Sequence, residues 1–254
     1  MIVDGECAGA DNMGRDWTLL EAVATGAARP ALRLYGWRPP CLSLGRHQRL
    51  AAANLGFCRA EGIEVVRRPT GGRAVLHHRE LTYAVAAPRG VGPLPRHLQE
   101  AYRTICGALV AAARALGVSA ELSSGEVNLA LPGPRTVAPC FEAPAGAEVV
   151  VGGRKLIGSA MRAHASSILQ HGSILLDWDG RLQAGAMGLA DDAHLRTQVT
   201  TFAAELGVVP ARERVETAVA EAFRGTLGIE LEPVPLDAAE LAAATAHAAA
   251  FAIS

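Results

Sequence analysis

The stretch RRPTGGRAVLHHRELTYAV, residues 67–85, joins short β-rich runs through a double glycine. Glycine pairs interrupt a β-rich pattern, so this segment predicts a strand, a turn and two further strands. The spacing fits neither a phosphate-binding loop nor a dinucleotide-binding turn. Two interpretations stay open. The segment is a plain hairpin turn, or its glycines let a ligand approach the backbone beside Arg67, Arg68 and Arg73.

A second glycine pair lies in EVVVGGRKLIG, residues 148–158. It predicts a β-hairpin, because two adjacent glycines suit a two-residue turn with positive φ. A turn of that length pairs Val150 with Lys155. Regular alternation along the second strand then places Lys155, Ile157 and Ser159 on one face.

Periodicity and turn signals predict the remaining elements. Helices are expected at residues 16–25, 55–61, 98–116, 215–224 and 236–250. Strands are expected at residues 31–37, 41–46, 63–68, 74–78 and 81–88, and residues 168–177 predict a strand pair or one bent strand. Hairpins interspersed with helices favour the α/β (α+β) class, with a mixed β-sheet flanked by helices. No linker divides the chain, so we expect one domain over residues 1–254, with a core of about 10–225 and a helical extension at 226–254.

Bulk properties argue against several classes of function. The 254 residues carry a net charge of −1, so neither nucleic acid nor a membrane surface is the expected partner. The chain shows no signal-peptide pattern and no apolar run of membrane-spanning length. Five cysteines, an odd number without a C-x-x-C pair, argue against a disulfide framework or a zinc site and favour the reducing cytoplasm. The adjacent His77 and His78 point to opposite faces of a strand, so no metal site is expected there.

One lysine stands apart from every other cation. Lysine and arginine total 24, and Lys155 is the single lysine, so 23 are arginines. A composition bias toward arginine explains the others, and it makes a chemical role for Lys155 the favoured interpretation, because lysine is a compact donor that can lose its proton. Cys140 lies fifteen residues earlier in VAPCFEAP, residues 137–144. Its flanking prolines predict a loop, an unusual place for an unpaired thiol.

Four motifs in this order resemble the lipoate–protein ligase superfamily: RRPTGGRAVLHHRELTYAV, then CF at 140–141, GRKLIGSA at 153–160 and LQHGSILL at 169–176. The resemblance runs from about residue 10 to about 180. Within the superfamily the chain looks most like the cysteine-dependent octanoyltransferases of the LipM type. A cysteine precedes the GRK lysine, and the glycine turn lacks the third glycine typical of ATP-dependent ligases.

The resemblance implies the catalytic-domain fold of biotin and lipoyl protein ligases and a transfer that needs no cofactor. Octanoyl would pass from acyl carrier protein to Cys140 as a thioester, and then to a lysine of a lipoyl-domain protein such as the glycine cleavage H protein. Lys155 would lower the pKa of the Cys140 thiol. The implied acyl-binding residues are Arg67, Arg68, Thr70, Gly71, Gly72, Arg73, Ala74, Val75, His77, Gly158, Ser159, Ala160, His171 and Gly172.

Three positions depart from the family pattern: His78, Ala84 and Met161 stand where aspartate, serine and glutamine are common. The alternatives are an ATP-dependent lipoate ligase, an octanoyl amidotransferase between lipoyl domains, and a non-catalytic binding protein on the same fold. The arginines at 67, 68, 73 and 79 form either a solvated edge or a docking patch for an acidic carrier.

Overall fold

The computed structural model describes residues 1–124 and 147–253. Cys140 lies outside the described residues. The strands are β1 (Ile2–Cys7), β2 (Ala31–Trp37), β3 (Cys41–Leu44), β4 (Glu64–Arg67), β5 (Val75–His77), β6 (Glu80–Pro88), β7 (Glu121–Leu122), β8 (Val149–Val151), β9 (Arg154–His164) and β10 (Ser167–Leu175). The helices are α1 (Gly9–Thr25), α2 (Leu55–Ala60), α3 (Leu98–Ala115), α4 (Gly180–Ala186), α5 (Ala193–Gln198), α6 (Phe202–Leu206), α7 (Arg212–Leu227) and α8 (Ala238–Ala248).

The described strands form two mixed sheets. The larger has the order β1-β2-β6-β10-β9-β8-β7, in which β1 and β2 are parallel and the pairs from β2 onward are antiparallel. The smaller has the order β4-β3-β5, with β3 parallel to β4 and antiparallel to β5. The prediction of a mixed sheet flanked by helices is therefore confirmed.

Helices bury both faces of the larger sheet. On one face, Leu109 of α3 and Phe223 of α7 belong to the same buried cluster as Ile174 of β10. On the other face, Met13 of α1 packs in a cluster with Leu169 of β10. Burying apolar surface on both sides of the sheet supplies the main stabilising contribution of such a fold.

The predicted C-terminal helix forms as α8, somewhat shorter than expected, and packs on α1. The chain then returns to the smaller sheet. The amide of Arg67 donates to the carbonyl of Phe251 at 2.8 Å, and Ala252 forms an antiparallel bridge with Val66. The last described residues therefore hold the end of β4, where the glycine turn begins.

The hairpin at the second glycine pair is confirmed, with φ of 54° at Gly152 and 79° at Gly153. Val150 pairs with Lys155 as predicted. The register then shifts, so that Val149 pairs with Ile157. This irregularity interrupts the regular alternation on which the expectation that Lys155, Ile157 and Ser159 share one face depends.

Two element predictions change in extent. The first helix begins at Gly9, seven residues earlier than the periodicity indicated, and residues 168–177 contribute to the single strand β10 rather than to a strand pair. Among the described helices, none has the length and apolar character needed to span a bilayer.

Candidate active site

A narrow cavity of about 50 Å³ lies between α1, the glycine turn and the middle of β9 and β10. Its walls come from both sheets, so the fold brings the two glycine-containing motifs together. The lining residues are Met13, Tyr35, Trp37, Ser43, Arg68, Gly72, Val75, His77, Thr82, Gly158, Ser159, Ala160, His171, Gly172 and Ser173. We refer to this space as the acyl cavity, after the residues that the sequence resemblance predicts to bind an acyl chain.

The glycine turn is held by Arg68, which is 5% exposed. Its Nη2 donates to the carbonyls of Gly71 and Arg73, both at 2.7 Å, and its Nη1 donates to the carbonyl of Ser43 at 3.0 Å. The turn needs its glycine at 72, where φ is 92°. A Cβ on Gly45 would lie 1.9 Å from the carbonyl oxygen of Gly72, so the two loops cross with no room for a side chain.

A buried carboxylate orients the histidine of β10. Asp16 of α1 lies 2.9 Å from His171 Nδ1 and also accepts from Arg33 and Tyr35, each at 2.8 Å. Because a carboxylate only accepts, Nδ1 carries the proton, and His171 Nε2 accepts from the hydroxyl of Thr70 at 2.6 Å. Burial would raise the Asp16 pKa, but the His171 hydrogen bond and the Arg33 charge outweigh it and hold that pKa below its usual value. Burial lowers the pKa of His171 in spite of Asp16, so the ring is neutral at pH 7.

A second network fixes His77 in the opposite wall. His77 Nδ1 lies 3.1 Å from Glu80 Oε1, and its Nε2 lies 2.8 Å from Ser43 Oγ. Trp37 stacks on the imidazole with ring centroids 4.0 Å apart, and its indole N–H donates to Thr82, whose hydroxyl donates to Glu80. The polar atoms of both histidines are thus engaged within the walls. The remaining surface suits a saturated chain, whose burial stabilises binding by about 0.8 kcal/mol per CH₂.

Lys155 is 2% exposed and pairs with Glu148, with Nζ 2.8 Å from Oε2. A buried ammonium is costly without a nearby carboxylate, and Glu148 supplies one. Lys155 does not line the acyl cavity. The first residue of β9 that does so is Gly158, three positions further along the strand.

The structure brings nine of the expected acyl-binding residues to the acyl cavity: Arg68, Gly72, Val75, His77, Gly158, Ser159, Ala160, His171 and Gly172. Of the other five, Thr70 supports His171, Gly71 lines a neighbouring cavity, the carbonyl of Arg73 accepts from Arg68, and Ala74 packs in the core of the smaller sheet. Arg67 Nη1 donates to the carbonyls of Gly45 and Gln48.

The arginine interpretation needs a correction. The guanidinium group of the buried Arg68 donates to backbone carbonyls inside the fold, so this residue forms neither a solvated edge nor a docking patch, whereas Arg67 is half-buried and donates to loop carbonyls near the surface. Arg79 is exposed and pairs with Asp177 at 2.8 Å. Charge clustering along a sequence does not show whether side chains point inward, and here backbone carbonyls draw Arg68 in.

Sequence reasoning missed six lining residues, namely Met13, Tyr35, Trp37, Ser43, Thr82 and Ser173. Alternation along the predicted strand at 31–37 could have indicated Tyr35 and Trp37, which lie two positions apart. Glu148 was also missed, although the hairpin register places it on the same face as Val150, the residue opposite Lys155.

The described cysteines are free, and three of them are deeply buried. Burial raises the pKa of Cys106 to about 12 and also raises the pKa values of Cys41 and Cys58. Since the thiolate is the nucleophile, these three thiols are held in the unreactive form at neutral pH. In residues 1–124 and 147–253, no three His, Cys, Asp or Glu side chains cluster as metal ligands.

Comparison with solved structures shows the same architecture. A lipoate-protein ligase A bound with ATP superposes with a TM-score of 0.78 at 21% identity, covering 98% of this chain and 93% of that one. A bi-partite lipoate protein ligase from Thermoplasma acidophilum superposes with a TM-score of 0.76 at 19% identity, covering 98% and 91%. At this identity the likeness establishes the fold alone.

Sequence comparison goes further. An octanoyltransferase LipM from Kyrpidia tusciae is 42% identical over 94% of this chain and 91% of its own length. The enzymes of that name from Geobacillus kaustophilus and Staphylococcus aureus are 37% and 36% identical over 95% and 91% of this chain, and over 90% and 87% of their own lengths. The sequence pattern of the lipoyl protein ligase A/B catalytic domain matches residues 8–224. The chain therefore belongs to the lipoyl protein ligase A/B catalytic-domain family.

Proposed function

We propose that this chain is an octanoyltransferase of lipoate assembly that carries the acyl group on Cys140. The donor is octanoyl acyl carrier protein, and the acceptor is a lysine of a lipoyl-domain protein such as the H protein of glycine cleavage. The observation that carries the proposal is similarity to enzymes named octanoyltransferase LipM along nearly the whole chain, 42% identical over 94% of it in one case. The narrow cavity, in whose walls the ring nitrogens of both histidines are engaged, supports a saturated acyl substrate.

The proposed reaction consists of two acyl transfers. The Cys140 thiolate adds to the carbonyl carbon of the donor, the bond to the carrier sulfur breaks, and the carrier thiolate takes up a proton. The acceptor amine then adds to the Cys140 thioester. It loses a proton as the amide forms, and Cys140 leaves as a thiolate. One thioester replaces another in the first step and amide formation is downhill, so the balance requires no ATP.

The side chains around the site have distinct proposed roles. Lys155 favours the thiolate form of Cys140 and is itself paired with Glu148 in the interior. His77, His171 and the turn at Gly72 wall the acyl chain. The high pKa values of the buried Cys41, Cys58 and Cys106 support a nucleophile elsewhere in the chain.

We further propose that residues 1–254 form one catalytic domain that needs no cofactor and works in the cytosol. The packing of α8 on α1 and the bridge from Ala252 to Val66 support a single unit, because the C-terminal extension contributes to the smaller sheet. The helical extension predicted at 226–254 is in this view part of the domain rather than an appendage.

An ATP-dependent lipoate ligase is the second candidate function. The observation that favours it is the match of the whole fold to a lipoate-protein ligase A bound with ATP. An octanoyl amidotransferase, which takes its acyl group from one lipoyl domain and gives it to another, shares the chemistry proposed for Cys140 and differs only in the donor.

Intact-protein mass spectrometry separates these functions. The chain is incubated with octanoyl acyl carrier protein without ATP, and the octanoyltransferase proposal predicts an octanoyl adduct that is absent in Cys140→Ser. Cys58→Ser is the matched control and should keep the adduct, because burial holds that thiol protonated. Failure to form an adduct, with lipoyl-domain modification only from free lipoate and ATP, would establish the ligase instead. An adduct formed only from an octanoylated lipoyl domain would establish the amidotransferase.

A further inference from the structure

A second cavity, of about 160 Å³, adjoins the acyl cavity across the glycine turn. Gly71 lines the second cavity and Gly72 lines the first. On β9, Ala160 lines the first cavity and the next residue, Met161, lines the second. The lining residues are Arg46, His47, Pro69, Gly71, Leu98, Met161, Arg162 and Ala163. We refer to this space as the arginine cavity.

Two arginines line the arginine cavity, and among the described residues that line it none is acidic. Arg46 and Arg162 supply the guanidinium groups, and His47 lies beside them. Within residues 1–124 and 147–253, neither arginine forms a salt bridge. Burial lowers the pKa of Arg162 and the nearby Arg46 lowers it further, as expected for guanidinium groups that share one partly desolvated space. The repulsion between the two guanidinium groups decreases when an anion binds between them.

The same elements that form the acyl cavity hold the side chain of Arg162 and the backbone of Arg46. Arg162 Nη1 donates to the carbonyl of Pro69 at 3.1 Å, and its guanidinium carbon lies 4.5 Å from the ring centroid of Trp17. The amide of Arg46 donates to the carbonyl of Thr70 at 2.8 Å. The guanidinium group of Arg162 is thus held before a ligand arrives, which reduces the conformational entropy lost on binding, whereas the side chain of Arg46 is exposed.

We propose that the arginine cavity binds a phosphate group of the acyl donor, namely the phosphodiester of the pantetheine arm that links the acyl thioester to its carrier. Paired guanidinium groups present several N–H donors, a geometry that suits phosphate oxygens. Leu98, Met161 and Pro69 supply apolar wall for the aliphatic part of the arm. The assignment rests on the proposed octanoyl transfer. A nucleotide would offer the same phosphate chemistry from a different source.

Two small donors test the assignment. Octanoyl-phosphopantetheine and octanoyl-pantetheine differ by the phosphate alone. The ratio of their kcat/KM values therefore measures how much the protein gains from binding the phosphate. We expect a ratio of about 10 to 100 in the wild-type protein, the range for one or two charge-assisted hydrogen bonds. The ratio should fall toward one in Arg46→Gln and in Arg162→Gln. Arg49→Gln is the matched control, because Arg49 is exposed, lies three positions from Arg46 and lines neither cavity.

A binding measurement keeps this test separate from the proposed function. Phosphopantetheine without an acyl group should bind the wild-type protein more tightly than pantetheine does in calorimetry, and both cavity variants should lose the difference. Equal binding and a kcat/KM ratio near one would overturn the assignment while leaving octanoyl transfer intact. Tighter binding of phosphopantetheine without turnover of either donor would support the phosphate site and contradict the proposal of octanoyl transfer. Modification of a lipoyl domain from ATP and free octanoate that depends on both arginines, with a ratio near one, would assign the cavity to a nucleotide and overturn the pantetheine proposal.

Discussion

Replacing Asp16 with asparagine removes the central charge of a buried network and keeps the shape of the side chain. In the native protein Asp16 and Arg33 have fully buried side chains and lie 2.8 Å apart. Breaking a buried ion pair by removing one partner costs about 3–5 kcal/mol, because the other charge stays in the interior. Arg33 keeps Asp4 at 2.7 Å, and that side chain is partly exposed, so we expect the lower end of this range, about 3 kcal/mol.

Urea denaturation at pH 7.5, followed by circular dichroism, measures this loss, and calorimetry should show a midpoint lower by roughly 6–12 °C, at about 2–4 °C per kcal/mol. The pH dependence has a definite sign. The pKa of Asp16 lies below its ordinary value of 3.8 when folded, so its stabilisation is present above that pH and is lost as the pH falls further.

Asp11→Asn is the matched control for this prediction. Asp11 is an exposed acid in the first turn of the same helix, so its replacement should change stability by less than about 0.5 kcal/mol. A loss under about 1 kcal/mol in Asp16→Asn would show that Asp4 alone compensates Arg33 and would refute the argument from buried charge.

Three further predictions address the surroundings of the acyl cavity and the role of Lys155. The pKa of His171 lies below its ordinary value of 6.5, so its stabilisation is present above pH 6.5 and is lost as the pH falls below that value. His171→Gln should therefore flatten the stability curve below pH 6.5, and an unchanged curve would contradict this. Gly45→Ala should destabilise the protein by at least about 2 kcal/mol and reduce transfer, because the new Cβ meets the Gly72 carbonyl at 1.9 Å, whereas Gly5→Ala, with open space around it, should do neither. Lys155→Arg keeps the charge but not the compact ammonium, so we expect Cys140 acylation to slow by about 100-fold in a mass-spectrometric time course, and wild-type rates would refute the role.

Local chemistry made much of the fold predictable. The glycine pair at 152–153 determined a two-residue turn and thereby the pairing of Val150 with Lys155. The helix expected at residues 55–61 forms as α2, and the Asn54 side chain before it accepts from the amide of Phe57 as an N-cap. These features depend on residues close together in the chain. The local conformational preferences of those residues are kept in the folded protein.

The candidate site was predictable only in part. The motifs that resemble lipoyl ligases supplied nine lining residues of the acyl cavity. The glycine turn and the β9 residues 158–160 each carry several lining residues close together in the sequence. The side chains that orient them come from elsewhere. Asp16 lies 155 positions from His171, and no spacing in the sequence indicates that they meet.

The sequence by itself determined most of the strands, the glycine turns, the single lysine and the order of the motifs, since each depends on neighbouring residues or on composition; the edge strands β1 and β7 were not predicted. Only the tertiary structure decided where the charged groups lie. It turned Arg68 inward to backbone carbonyls, paired Lys155 with Glu148, and brought Arg46 beside Arg162. A charged side chain takes the arrangement with the best available partners, and those partners are gathered by the packing of distant segments, which no local pattern encodes.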